Sequence, residues 1–320
     1  IDGDADGAVL GTSPILSNCG AKDKMIPFGF KKAVHYGALL LLVIIAVGPF
    51  LWLLSTALKS GEENIFAYPP QLLPEAPTLE NFTQVWQQAP MASYFFNSIV
   101  VAILTVAFNL VFSTLAAYPL ARMQFRGQQA IFLAILATMM IPFQVIMIPL
   151  YLIMLKAGLT DTANPVQLCL PNAVGGLCVS LNTVIGLAIP FAISGFGIFF
   201  MRQALINLPK ELEESAVMDG CNSFQVLYKV IVPLVKPALA TLAVFTFMTS
   251  WGEFLWPSIL LSDPQNYTLP VGLVHLQGAF SANWRLIAAG TMMSMIPILV
   301  FFLLLQRYFV SGSLAGSVKG

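Results

Sequence analysis

Long apolar segments separated by short polar ones dominate this chain. Each apolar segment has about 20 or more residues and at most one charged side chain, and this is the length that an α-helix needs to cross the hydrocarbon core of a membrane. The segments are 36–58, 94–120, 130–155, a part of 162–201, 237–261 and 286–306. The pattern therefore predicts an all-α polytopic membrane protein with six transmembrane helices.

The composition supports this class. Hydrophobic residues make up 58% of the chain, charged residues make up 9%, and the mean hydropathy is +0.81. A soluble domain of this length does not show such values. The formal net charge is zero and no basic patch is interleaved with aromatic residues, so the sequence indicates no nucleic-acid partner.

Lysine and arginine are concentrated in cytoplasmic loops of membrane proteins, and their positions therefore test the number of spans. Six spans with both termini in the cytoplasm place most of the 15 basic residues inside. Only three then lie on the outer side, namely Lys59, Lys156 and Arg285. The segment 162–201 is long enough for two spans, but a seventh span would remove this asymmetry. We therefore predict six spans in a bacterial inner membrane.

A polar island, residues 207–233, lies between the fourth and fifth spans. Pro209 suits the first turn of a helix, and the glutamates that follow it suit the positive end of the helix dipole. Gly220 is expected to end this helix in the left-handed conformation. Asn222 is then expected to cap a second helix that Pro233 interrupts.

The first of these two helices is predicted to present a smooth apolar stripe with a charged rim. The stripe recurs every four residues and consists of Leu208, Leu212, Ala216 and Gly220. Such a helix fits a groove on a soluble partner. The alternative is an ordinary cytoplasmic loop that packs on its own membrane helices.

The spacing of Glu214-Ser215-Ala216, Gly220 and Val230-Ile231-Val232-Pro233 resembles the EAA loop of ABC importer permeases. Residues 30–320 resemble the carbohydrate-uptake branch, and in particular its MalG-type subunits. Further residues that carry this resemblance are Asn97-Ser98, Ala117 to Arg122, Phe199 to Gln203, Trp251 to Pro257, Thr268 to Leu273 and Gln306 to Val310.

The resemblance implies the type I ABC importer permease fold and a set of partners. These are a MalF-like second permease, an ATPase homodimer that binds ATP and Mg, an extracytoplasmic solute-binding protein, a sugar and the lipid membrane. No GxxxxGK[ST] loop is present, so this chain itself is not expected to bind a nucleotide cofactor or act as an enzyme. Contact with the ATPase is implied for Leu212, Glu214, Ser215, Ala216, Asp219, Gly220 and Pro233, and for Gly316, Ser317 and Lys319 in the C-terminal tail.

The chain departs from the family pattern at two places. An insertion, residues 163–184, is expected on the outer side, where it would dock the binding protein, cover the pathway or have no role in transport. It contains Cys169 and Cys178, which could form a disulfide in an oxidising compartment. In addition, Gly252 stands where the family more often has asparagine.

Glu253 is the one ionisable residue within a predicted span, which makes it a candidate for function. Together with Trp251 and Phe254 it resembles a sugar pathway, since aromatic faces stack on sugar rings and a carboxylate accepts hydroxyl hydrogen bonds. The alternative is that Glu253 pairs with a partner subunit or solvent near the outer interface. No catalytic or metal site is predicted, because His35 and His275 are far apart in sequence and topology.

The predicted function is the import of oligosaccharides or related polyols. Glycerol phosphate or a phosphodiester, and acidic uronate oligosaccharides, stay open as alternatives. A secondary transporter or an intramembrane enzyme would need more ionisable groups within the spans. A structural scaffold would not explain the polar island.

Residues 1–29 are expected to form a cytoplasmic N-terminal extension. Its first 24 residues are polar and rich in glycine, and Met25 is a plausible natural start. A cleaved signal peptide is not expected, since the first apolar segment is too long and lacks a small-residue cleavage site.

Overall fold

A computed structural model describes residues 28–160, 167–169, 178–276 and 283–315. Nearly all of the N-terminal extension lies outside these residues. So do Gly316, Ser317 and Lys319, for which the implied ATPase contact stays a prediction.

The described chain is mainly helical. Its helices are α1 (Phe28–Leu58), α2 (Glu80–Gln88), α3 (Met91–Arg122), α4 (Gln128–Thr138), α5 (Phe143–Lys156), α6 (Leu181–Ala188), α7 (Gly195–Ile206), α8 (Glu211–Met218), α9 (Ser223–Gln225), α10 (Val232–Leu234), α11 (Lys236–Trp251), α12 (Leu255–Leu260), α13 (Leu269–His275) and α14 (Trp284–Ala315). A π-helix covers Val226–Ile231, and short 3-10 helices cover Ile189–Phe191 and Pro264–Asn266. The two strands are β1 (Gln167–Cys169) and β2 (Cys178–Ser180).

Contacts divide the chain into two units, residues up to Trp52 and residues from Leu53 onward. The described part of the first unit is one apolar helix, most of α1, with exposed apolar side chains. Every contact and cavity discussed below belongs to the second unit.

The spans agree with the predicted number when each bent helix pair crosses the membrane once. Among the described residues, three helices are long and apolar enough to cross alone, namely His35–Leu58, Met91–Arg122 and Trp284–Arg307. Three bent pairs reach the same length, with bends of 94° between α4 and α5, 58° between 181–191 and α7, and 79° between 223–234 and α11. In the third pair, the segment before the bend, 223–234, belongs to the polar island.

The helix α3 lies at the centre of the second unit and packs against both α7 and α11. A Cβ atom on Gly197 of α7 would lie 2.5 Å from Ser113 Oγ and 2.8 Å from Asn109 Oδ1, both on α3. The small residue thus lets the two helices approach closely. Gly197 therefore marks a close contact between α3 and α7.

The predicted insertion contains a small antiparallel hairpin. β1 pairs with β2 in the register Gln167↔Ser180, and a disulfide joins Cys169 to Cys178. Ser180 caps α6, since its Oγ accepts a hydrogen bond from Thr183 N. The last residues of the predicted insertion, 181–184, thus form the first turn of α6.

The loop that follows α1 is held by charged side chains. Lys59 Nζ donates to Gln71 O at 2.8 Å and lies 3.6 Å from Glu63 Oε1. The Arg285 guanidinium donates to Glu63 O. Arg285, at the start of α14, is thus bound to this loop.

Candidate functional site: the coupling loop and the membrane cavity

The polar island folds as two helical segments joined by a tight turn. Its first helix, α8, begins at Glu211, after Lys210 in the N-cap position. The predicted start at Pro209 is therefore slightly early, because Asn207 still closes α7. The acidic first turn is confirmed.

The turn after α8 has the predicted chemistry. Gly220 has a φ of +85°, in the left-handed region that side chains rarely adopt. Asn222 then forms a capping box, in which its side chain accepts from Gln225 N and the Gln225 side chain accepts from Asn222 N. Local residue types therefore determine this turn.

The second segment differs from the predicted helix. It continues as the π-helix Val226–Ile231, and Val232 N donates to Leu227 O. A proline has no N–H to continue the ordinary α-helical ladder, and a change of hydrogen-bond register accommodates this loss. The bend follows at Val235 rather than at Pro233, which lies exposed within α10.

The predicted stripe on α8 is only partly exposed. Ala216 is buried in a cluster with Leu205, Val226 and Leu227, and Leu208 packs against the same cluster. The exposed apolar surface of the loop consists of Leu212, which belongs to the stripe, together with Val217, Met218, Phe224 and Tyr228. Leu208 and Ala216 therefore anchor the loop, and these five exposed side chains supply its free apolar surface.

Of the other predicted contact residues, Glu214, Ser215 and Asp219 are exposed on this loop. Ser215 Oγ donates to Glu211 O within α8. All seven predicted residues thus lie in one compact loop, although Ala216 points inward.

An arginine at the end of α3 binds this loop. Arg122 Nε lies 2.6 Å from Glu213 Oε1, and Arg122 Nη2 donates to Leu208 O at 2.9 Å. The first contact is an ion pair by distance, although its angle is not that of a hydrogen bond. Arg122 was noted in the sequence only as part of the family pattern, since its partner lies in another segment.

We expect Asn222→Ala to loosen the loop 207–233, which is called the coupling loop below. The change removes the side-chain half of the capping box, which is worth about 1 kcal/mol. In the assembled complex, hydrogen exchange of the Gln225 amide should accelerate about fivefold. Asn207→Ala is the control, because Asn207 is exposed and makes no side-chain cap. Equal exchange in both variants would contradict the capping role.

A cavity of about 610 Å³ lies between α3, the break before α7, and α11. Its apolar lining includes Phe191, Phe196, Phe245 and Met248, and its polar lining includes Thr105, Asn109, Ser194, Thr246, Thr249, Ser250 and Glu253. No lysine, arginine or histidine lines it among the described residues. The Thr105 hydroxyl is buried without a hydrogen-bond partner in the described structure. The cavity thus combines aromatic faces with hydroxyl and carboxylate groups.

Glu253 is the only one of the three predicted pathway residues that lines this cavity. It lies in the break between α11 and α12, rather than within a span, and its Oε1 accepts from Trp256 N at 3.1 Å. The carboxylate therefore both caps α12 and borders the cavity.

The predicted stacking role of Trp251 does not fit its position. Its indole is buried, stacks on Phe247 at 5.6 Å and donates from Nε1 to Ser294 O on α14. Trp256 is buried as well, with its Nε1 donating to Gly186 O. Phe254 is partly exposed and precedes α12 without lining the cavity.

Asn109 joins three membrane segments at the cavity wall. Its Nδ2 donates to Phe191 O at 3.0 Å and to Ser194 Oγ at 3.1 Å, and its Oδ1 accepts from Thr246 Oγ1 at 3.5 Å. A search for ionisable residues within the spans does not find Asn109, because its amide carries no charge. The signal that could have identified it is an amide side chain within an apolar segment.

Comparison with known proteins identifies the architecture. Residues 109–313 match the family described as binding-protein-dependent transport system inner membrane component. The chain belongs to this family. It is an ABC importer permease, a multi-pass protein of the inner membrane.

Individual relatives cover nearly the whole permease. It is similar to the arabinooligosaccharides transport system permease protein AraQ of Halalkalibacterium halodurans, with 33% identity over 97% of this chain and 99% of that protein. It is also similar to the sulfoquinovosyl glycerol transport system permease protein SmoH of Agrobacterium fabrum, with 32% identity over 98% of this chain and 100% of that protein.

Among solved structures, the permease resembles a bacterial ABC transporter involved in the import of the acidic polysaccharide alginate. The TM-score is 0.70 at 26% identity, over 88% of this chain and 96% of that chain.

Proposed function

We propose that this permease forms half of the membrane pathway of an ATP-driven importer for neutral oligosaccharides. The observation that carries this proposal is the cavity beside α3, with its aromatic faces, hydroxyl groups and single carboxylate. Sugar rings stack on aromatic faces, and their hydroxyl groups form hydrogen bonds with polar side chains such as Thr249, which is exposed in the cavity lining. The sugar-based substrates named for the relatives support the same class.

The charge of the cavity favours uncharged sugars over phosphate compounds. A phosphate or phosphodiester needs cationic or N–H donors along its path. The described cavity lining has no cationic side chain and one carboxylate, Glu253. Arg285 is bound to Glu63 instead.

A uronate oligosaccharide is the second candidate. It is supported by the likeness to the importer of the acidic polysaccharide alginate. The second, MalF-like permease would then supply the cationic groups, since this chain's lining has none in its described part.

We propose further that the loop 207–233 binds a separate ATPase homodimer, which holds ATP and Mg. The exposed side chains of Leu212, Met218, Phe224 and Tyr228 give it an apolar surface for a soluble partner. We propose that both termini lie in the cytoplasm, which the distribution of basic residues supports, and that the tail with Gly316, Ser317 and Lys319 is a second ATPase contact. An extracytoplasmic binding protein delivers the sugar to the opposite side.

The test of this function is uptake by the complete importer in proteoliposomes, with a neutral arabinooligosaccharide, a uronate oligomer and glycerol phosphate offered at equal concentration. We expect ATP-dependent uptake of the neutral sugar. Preferred uptake of the uronate would select the second candidate, and uptake of glycerol phosphate alone would overturn both.

In the same assay, we expect Phe245→Ala to lower sugar uptake about threefold to tenfold. The change removes an aromatic face from the cavity, and such a face contributes about 0.5–1.5 kcal/mol. Phe112→Ala is the matched control, because Phe112 is similarly exposed on α3 and does not line the cavity. Equal losses in both variants would argue against a sugar contact at Phe245.

A further inference from the structure

The helix α3 is attached to the coupling loop by a largely enclosed ion pair. The side chains of Arg122 and Glu213 are only 4% and 16% exposed. Such a pair is less screened by solvent than a surface pair, and removal of one partner leaves a charge without compensation. Because Arg122 also binds Leu208 O, one guanidinium holds both the start of α8 and the segment before it.

The same end of α3 is held to two other helices. Leu120 O accepts from Arg202 Nε on α7 at 2.9 Å and from Gln128 Nε2 on α4 at 2.8 Å. The last carbonyls of a helix lack partners within it, so these bonds complete the end of α3. The Arg202 guanidinium also lies 4.0 Å from the centre of the Phe132 ring. The cytoplasmic end of α3 is therefore rigidly positioned.

The middle of α3 is attached to the cavity wall. Asn109 lies about 20 Å from Arg122 along the helix axis, from the rise of 1.5 Å per residue. Its amide binds Phe191 O, at the break between α6 and α7, and contacts Thr246 on α11. α3 is continuous from Met91 to Arg122, whereas both spans that Asn109 joins are bent. One unbroken helix thus links the coupling loop to two bent spans.

From these contacts we infer that the Arg122–Glu213 pair transmits the movement of the coupling loop to α3, and that Asn109 passes it from α3 to the cavity wall. Arg122, Glu213 and Asn109 are positioning residues, because they act through α3 and need not touch the sugar. This inference rests on the proposed function, in which an ATPase moves the loop. The new element is the identity of the side chains, Arg122, Glu213 and Asn109, that carry this movement into the membrane.

The test is charge reversal in the complete importer with its second permease, ATPase and binding protein. The variants are Glu213→Arg, Arg122→Glu and the double reversal. The readouts are the amount of assembled complex, basal ATP hydrolysis, and the ratio of sugar imported to ATP hydrolysed. Arg126→Glu is the matched control, because Arg126 is exposed in the loop that follows α3.

Each single reversal should lower the import ratio at least tenfold while assembly and basal hydrolysis persist. The double reversal should recover at least a third of the wild-type ratio, and Arg126→Glu should retain it. An assembled double reversal that recovers nothing, or single reversals that import normally, would overturn the inference. A wild-type complex that imports no sugar at all would instead refute the proposed function.

Asn109→Ala tests the other end of α3. In this variant the ion pair between Arg122 and Glu213 is intact. The variant should still hydrolyse ATP, but its ratio of sugar imported to ATP hydrolysed should be at least threefold lower than that of the wild type. Normal import by an assembled Asn109→Ala complex would remove Asn109 from the proposed route.

Discussion

Replacing Gly186 with alanine is expected to prevent the permease from forming a stable, assembled subunit. The new Cβ would lie 2.1 Å from Leu159 O and 3.2 Å from Leu260 Cδ2. A backbone carbonyl cannot move aside as a side chain can, so α6 must shift as a whole. The shift would also disturb the bond from Trp256 Nε1 to Gly186 O. We expect a loss of about 3 kcal/mol or more from overpacking and the broken hydrogen bond.

The yield and melting temperature of the detergent-solubilised complex measure this effect. Gly61→Ala is the control, because a Cβ atom at Gly61 would meet no atom within 4 Å and the residue has no positive φ. A Gly186→Ala complex that assembles and melts like the Gly61→Ala complex would show that the close approach of α6 to Leu159 is not required.

Gly220→Val is expected to abolish both sugar import and the ATP hydrolysis that is stimulated during import. Gly220 has a φ of +85° and open space around it, so the effect arises from the backbone rather than from a clash. The left-handed conformation costs an ordinary residue about 1–2 kcal/mol, and more for a β-branched one. Relief of this strain would redirect the chain between α8 and the Asn222 cap. We expect sugar import and stimulated ATP hydrolysis to fall at least tenfold while the complex still assembles.

Gly127→Val is a matched control for this experiment. Gly127 has a φ of +89°, equally open surroundings, and a position in a different loop, before α4. It should show a similar loss of thermal stability but retain coupled import. If both variants lose coupling to the same degree, general strain would explain the result and the special role of 207–233 would be wrong.

The coupling loop shows how far sequence reasoning extends. The turn at Gly220 and the cap at Asn222 were predicted, because φ preferences and side-chain caps depend on residues within a few positions. The stripe on α8 was predicted only in part, since Leu212 and Gly220 are exposed but its other two residues are not. Ala216 and Leu208 turn toward Leu205 and Val226, and four-residue spacing identifies a stripe without showing what covers it.

The residues that line the cavity were predicted less completely from the sequence. Glu253 was recognised because a charge within an apolar segment is visible in sequence. Trp251 was assigned to the same pathway, yet it packs on α14, because neighbours in sequence can point to opposite sides of a helix end. The role of Asn109 depends on its contacts with Phe191 and Thr246, which lie 82 and 137 positions away in the sequence.

The sequence by itself determined the membrane class, the approximate spans and the turn of the coupling loop, because hydrophobic length, charge asymmetry and turn chemistry are local properties. Only the tertiary structure decided where the spans bend, which face of α8 is buried, and that Arg122 and Asn109 connect α3 to distant segments. The physical reason is that burial and pairing depend on helices that are brought together by folding, whose contacts no local pattern records.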